Sequence, residues 1–199
     1  SPEQLQATAN LVTAEVKAWC VQTGMSVNTD KTKILQLGNQ DLDLSVRYGE
    51  IVLKCVKNHT ILGLTISNDF RQHAQKVVER MRKRIRAISQ LCNRKWGPTF
   101  DSLRAFYFSF VESIPRYAIS VWFPRAPKKL LEEMQTLINR ACRVITGLPT
   151  RVPTMVLLKQ TDALSLGELY QREGMSLLDK IKRFKWEIGE GDTGDSSKI

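Results

Sequence analysis

The chain is poor in the residues that usually carry chemistry. Among its 199 residues are only two histidines and four cysteines, and no two aspartates are adjacent. Cys20, Cys55, Cys92 and Cys142 are far apart in apolar contexts, with no C-x-x-C pair, and His59 and His73 cannot complete a zinc set with them. Reduced, buried thiols of an intracellular protein are expected instead. There is no G-x-S-x-G, no P-loop, no H-E-x-x-H and no G-x-G-x-x-G. No apolar run approaches the roughly 20 residues that span a bilayer, and no leader pattern opens the chain. A start at Ser1-Pro2 rather than at Met is what a segment of something longer would have.

The carboxylates present do not form a site either. Asp41 and Asp43 flank Leu42 on one face of an expected strand, and a solvated face accounts for them better than a metal does. Glu132 and Glu133 fall on the polar side of a helix, and His73 is a packing or surface residue. No catalytic residue, metal ligand or cofactor is expected in this chain, and no activity of its own.

Acidic residues are also scarce in one region. The net charge of +10 comes almost entirely from the middle: residues 67–104 carry ten basic and three acidic side chains, residues 105–150 six and three. Residues 1–66 and 151–199 are each balanced. At the centre of this excess lies Asp69–Cys92. On a helix, Ala74, Val77, Val78, Met81, Ile85, Ile88 and Cys92 share one side, while Lys76, Arg80, Lys83, Arg84 and Arg86 crowd the other with only Glu79 among them. Solvated helix faces usually mix both signs. A face this uniformly positive fits a polyanion, and the absence of a bulky Trp, Phe and Leu side argues for nucleic acid over a membrane.

Around that helix the pattern predicts an α+β fold. Residues 3–23 form a helix (Leu5, Ala9, Val12, Val16, Trp19) capped at Gly24. It should lie on a small antiparallel sheet of strands at Lys33–Leu37, Leu42–Val46, Ile51–Val56 and His59–Ile66, with a turn at Tyr48–Glu50; Ser67 and Asn68 offer an N-cap for the basic helix. The remainder should be all-helical: a segment capped by Thr99 with Leu103, Phe106, Tyr107, Phe110, Val111 and Ile114 inward, a break at Pro115, an offset piece to Pro124, then helices over 126–145, 153–158 and 166–186. A polar tail, 191–199, is expected to be disordered. The expected domains are therefore 1–66 and 67–190.

Several stretches, taken in order, resemble the reverse transcriptases of non-LTR (LINE-type) retrotransposons, in the part that follows the catalytic Asp-Asp turn. They are a helix ending at Trp19, the Asn-x-x-Lys-Thr of Asn28, Lys31 and Thr32, the Leu62-Gly63 hairpin strand, the Tyr-x-x-x-x-Trp of Tyr117 and Trp122, and an arginine-bearing helix and loop with Asn139, Arg140, Arg143, Gly147, Arg151 and Pro153. The resemblance covers roughly residues 5–170, and it rests on the order and spacing of these motifs rather than on any one of them. It implies a distal palm with a primer-grip hairpin over 1–66 and a helical thumb with an extension over 67–190. By the same resemblance, the metal-binding carboxylates and the magnesium they would hold are expected before residue 1.

The function implied is a nucleic-acid-binding module that grips the backbone of RNA or an RNA/DNA duplex. The alternative is a catalytically dead structural subunit of a ribonucleoprotein or protein assembly. Candidate backbone contacts are Lys76, Arg80, Lys83, Arg84, Arg86, Arg94, Lys95 and Arg104, with Trp96 either packing under its loop or stacking on a base. By resemblance Lys31 stands near the nucleotide phosphates; read from its residues alone, it is a solvent-facing lysine beside a turn. Expected partners are nucleic acid and the missing palm and fingers or another subunit, with no membrane, and a retrotransposon product would be nuclear.

Overall fold

A computed structural model of the protein describes residues 2–38, 42–92 and 97–189, with side chains to residue 184. Asp41, Arg94, Lys95, Trp96 and the 191–199 tail lie outside the described residues. The fold is α+β, and it divides into two compact units, Ser1–Phe70 and Arg71–Ile199.

In the first unit, α1 (Pro2–Thr23) closes at Gly24, whose φ of +70° suits a residue without Cβ, and Met25 N–H returns to the Cys20 carbonyl at 2.9 Å. The strands do not form the single antiparallel sheet expected from their spacing. They form three two-stranded ladders. β1 (Lys33–Leu35) pairs with β4 (Lys54–Val56) in parallel, Ile34 opposite Cys55. β2 (Arg47–Tyr48) and β3 (Ile51–Val52) make a hairpin around Gly49. The expected strand at Leu42–Val46 is irregular over its length. Its last residue instead extends that hairpin by one bond, Leu53 N–H to the Val46 carbonyl at 2.8 Å, and both side chains are buried. The stretch His59–Ile66 is two strands rather than one: β5 (His59–Ile61) and β6 (Leu64–Ile66) fold back across Leu62-Gly63.

α1 does not rest on a sheet through its apolar side. Leu5, Val12, Val16 and Trp19 are all exposed, and only Cys20 of this helix is buried. The helix meets β2 by a polar edge: Thr13 Oγ1 donates to the Arg47 carbonyl at 2.7 Å, and Arg47 N–H donates to Asn10 Oδ1 at 2.9 Å.

The second unit is helical. α2 (Arg71–Leu91) buries His73, Ala74, Val77, Val78, Met81, Ile85 and Ile88, chiefly against α6 (Lys128–Thr146), which presents Met134, Leu137, Ile138, Ala141 and Ile145. α3 (Phe100–Phe106) starts at Thr99, whose hydroxyl accepts from Ser102 N–H at 3.3 Å. A π-helical turn, Tyr107–Glu112, follows, and then α4 (Ser113–Arg116). Pro115 has no N–H to give to the Val111 carbonyl, and the wider turn lies immediately upstream. Adding a residue to the turn changes the face. Tyr107 and Val111 go inward, whereas Phe106, expected in the core, is exposed and Phe110 is half-buried.

The same turn brings Glu112 into the interior at 1% exposure. Its Oε1 meets Arg116 Nη2 at 2.5 Å and Arg172 Nη2 at 3.6 Å, and both arginines also meet Glu173 at 3.4 Å. Burial pushes the Glu112 carboxyl above its ordinary range despite the pull of Arg116 and Arg172. After Tyr117, Ala118 sits at φ +50° and α5 (Ile119–Trp122) leads into a 3₁₀ turn, Phe123–Arg125. α7 (Thr154–Thr161) and α8 (Leu166–Gly189) complete the unit. Tyr170 of α8 stacks on Phe123, with ring centroids 4.6 Å apart.

Candidate nucleic-acid interface

α2 has an uninterrupted helix-forming run from Gln72 to Leu91 without Gly or Pro, and the residues of its inner face are almost fully buried. A rigid inner face holds the outer one in place. Lys76, Arg80 and Lys83 recur at steps of four and three, so they form one exposed row along the helix, with Arg86 exposed to its side. Arg80, Lys83 and Arg86 make no ion pair among the described residues. At about 1.5 Å of rise per residue the row runs for about 10 Å, long enough to meet successive phosphates of one strand.

Two of the expected contacts are used inside the protein. Arg84 sits where the basic face meets the core; its Nη1 donates to the Phe110 carbonyl at 2.5 Å and its guanidinium lies 4.4 Å from the Phe110 ring centre. Arg104 belongs to α3, not to the row. Its Nε donates to the Thr161 carbonyl at 2.9 Å, it pairs with Asp162, and it lies over the Phe108 ring. Sequence spacing could not separate these arginines from the row, because their hydrogen-bond acceptors come from 26 to 58 residues away. Arg82, left out of the expected set, pairs with Glu133 of α6.

Behind the row, His73 is buried with its ring 5.7 Å from that of Trp122. Burial, followed by Arg80 and Lys76, lowers its pKa to about 4, so it is neutral at physiological pH and packs as an aromatic.

In the first unit, Asn28 explains its own motif. Its side-chain oxygen accepts from Lys31 N–H at 3.0 Å, and its carbonyl accepts from Thr32 N–H at 3.1 Å and Thr32 Oγ1 at 2.8 Å. The Asn-x-x-Lys-Thr spacing thus fixes a turn that leaves Lys31 exposed at the entrance to β1. Among the described residues no group of three His, Cys, Asp or Glu comes together as a metal site would need.

Over 175 residues, 83% of its length, the chain is 27% identical to the probable RNA-directed DNA polymerase from transposon BS of Drosophila melanogaster. This similarity supports a region related to the reverse transcriptases of non-LTR retrotransposons. It spans about a fifth of that relative, 19% of its length. No family model matches the chain, and no solved structure does.

Proposed function

We propose that this reverse-transcriptase-related chain grips the sugar–phosphate backbone of RNA or of an RNA/DNA duplex through the outer face of α2, as a thumb does. The observation that carries this is the exposed row Lys76, Arg80 and Lys83, with Arg86 beside it, on a helix anchored by its buried side. Such contacts set register and hold on to the duplex without reading bases. On this assignment residues 1–66 are the distal palm with its primer-grip hairpin, and Lys31 is offered towards nucleotide phosphates. No phosphoryl transfer is assigned to the chain itself, whose sequence has no adjacent aspartates. Primer-extension assays with magnesium or manganese should give no incorporation.

The test is anisotropy with a labelled RNA duplex and an RNA/DNA hybrid across a salt series. If four cations each neutralise a phosphate, the slope of log K against log salt should be about −3 to −4. R80E/K83E/R86E, all exposed positions, should remove binding while the circular-dichroism melt stays that of the parent. Equal binding by the triple variant and the parent would sink the proposal.

A second role, as a subunit held in a larger assembly, is favoured by one separate observation: the exposed apolar residues Leu5, Val12, Val16 and Trp19 on α1. An obligate subunit should self-associate or aggregate alone. A clean monomer in size-exclusion chromatography with light scattering excludes it.

A further inference from the structure

The second half of α8 leaves the bundle while remaining helical. Leu166 and Leu169 are 3% and 1% exposed, whereas every residue from Met175 to Phe184 is exposed. A helical stretch this short is marginal in water without packing. At 100° per residue, Leu177, Leu178, Ile181 and Phe184 form a stripe about 120° wide that prolongs the face already packed on α4, α5 and α6. On the same wheel Lys180 lies about 40° outside one edge and Lys182 about 40° outside the other.

From this arrangement we infer that the second half of α8 is a docking surface for an α-helix of another polypeptide segment whose apolar face is bordered by carboxylates. Three features select that occupant. Lysines on both edges oppose a second copy, because self-pairing in either orientation sets lysine against lysine, whereas glutamates at the partner's edges would pair with both. The stripe is apolar along its centre, which disfavours a nucleic-acid strand. It is also continuous with a face on which helices already sit, so a flat lipid surface approaching the stripe would meet the bundle first, while a helix can lie end-on to those already in place. This surface is separate from the α2 row, and its failure would leave nucleic-acid binding untouched.

The experiment uses the whole chain and a labelled designed amphipathic peptide of about 20 residues, leucine along its apolar stripe. One version has glutamate at both edges and another has lysine. Vesicles containing phosphatidylserine, and sedimentation of the chain alone, are run in parallel. The expected result is saturable binding of the glutamate-edged peptide only. I181D/F184D should weaken it by about tenfold or more, and K180E/K182E should transfer the preference to the lysine-edged peptide. Both variants change exposed side chains, so their melts should match the parent's, and duplex binding by each serves as a control for folding. Failure of the glutamate-edged peptide to bind overturns the inference. So does binding indifferent to edge charge, vesicle binding lost in I181D/F184D, or self-association through the same residues.

Discussion

The indole N–H of Trp122 donates to the carbonyl of Tyr117 at 2.9 Å, across the break between α4 and α5. The two residues of the Tyr-x-x-x-x-Trp spacing are therefore linked through one backbone and one side chain. Tyr117 itself is exposed, while Trp122 is completely buried and faces His73 of α2. The bond satisfies a carbonyl that the interrupted helix has freed, and it fixes the angle at which the chain restarts after the left-handed Ala118. Trp122→Phe should cost about 2 kcal/mol, part from the lost hydrogen bond and part from lost volume, and lower the Tm by several degrees. Tyr117→Phe keeps the carbonyl and should lower the melt less than Trp122→Phe does. A melt lowered equally by both would place the contribution in the Tyr117 side chain instead.

Arg80 and Arg84 are four residues apart on one helix, yet their expected roles differ. Arg84 bonds the Phe110 carbonyl and covers its ring, so Arg84→Ala should destabilise the second unit by about 1–2 kcal/mol in urea titration. Arg80 is exposed, and Arg80→Ala should be neutral in that titration while reducing the salt slope of duplex binding by about one. Loss of duplex binding in Arg84→Ala without loss of stability would reassign that arginine to the row.

His73 predicts the acid limit of the second unit. Its folded pKa, about 4, lies below the ordinary imidazole value of about 6.5. The folded state therefore binds its proton less tightly than the unfolded chain does. The stability this gives is fully present above about pH 6.5 and is lost as pH falls from there towards about 4. In His73→Phe, urea midpoints should fall less between those pH values than in the parent. Parallel profiles for the two proteins would mean that the imidazole is not responsible.

What could be read from the sequence follows from locality. The caps at Gly24 and Thr99 and the inner face of α2 depend on residues within a turn or two of one another, and periodicity locates them. Strand pairing depends on distant segments: three-residue runs such as Lys33–Leu35 carry too little pattern to reveal a parallel partner at Lys54–Val56. The π turn escaped because a Pro at 115 announces a break without saying that the turn before it will widen, which moved Phe106 outward and Glu112 inward. In the candidate interface the exposed row was legible from helical spacing, but the withdrawal of Arg84 and Arg104 was not. Their partners Phe110 and Asp162 become neighbours only once the helices pack.

The β5–β6 hairpin turns through Leu62 and Gly63, with φ of 48° and 84°, and Ile61 pairs directly with Leu64. Positive φ at both central residues is the pattern of a type I′ turn, which suits Asn-Gly far better than Leu-Gly. Leucine in the left-handed region is strained, and its side chain is 89% exposed, so the fold gains little packing from it. Leu62→Asn should therefore stabilise the hairpin by about 0.5–1 kcal/mol. The measurement is amide exchange at the paired residues of β5 and β6, which should slow several-fold with no change at α2. Faster exchange in the variant would mean that the leucine side chain, exposed as it is, contributes a contact worth more than the backbone strain it imposes.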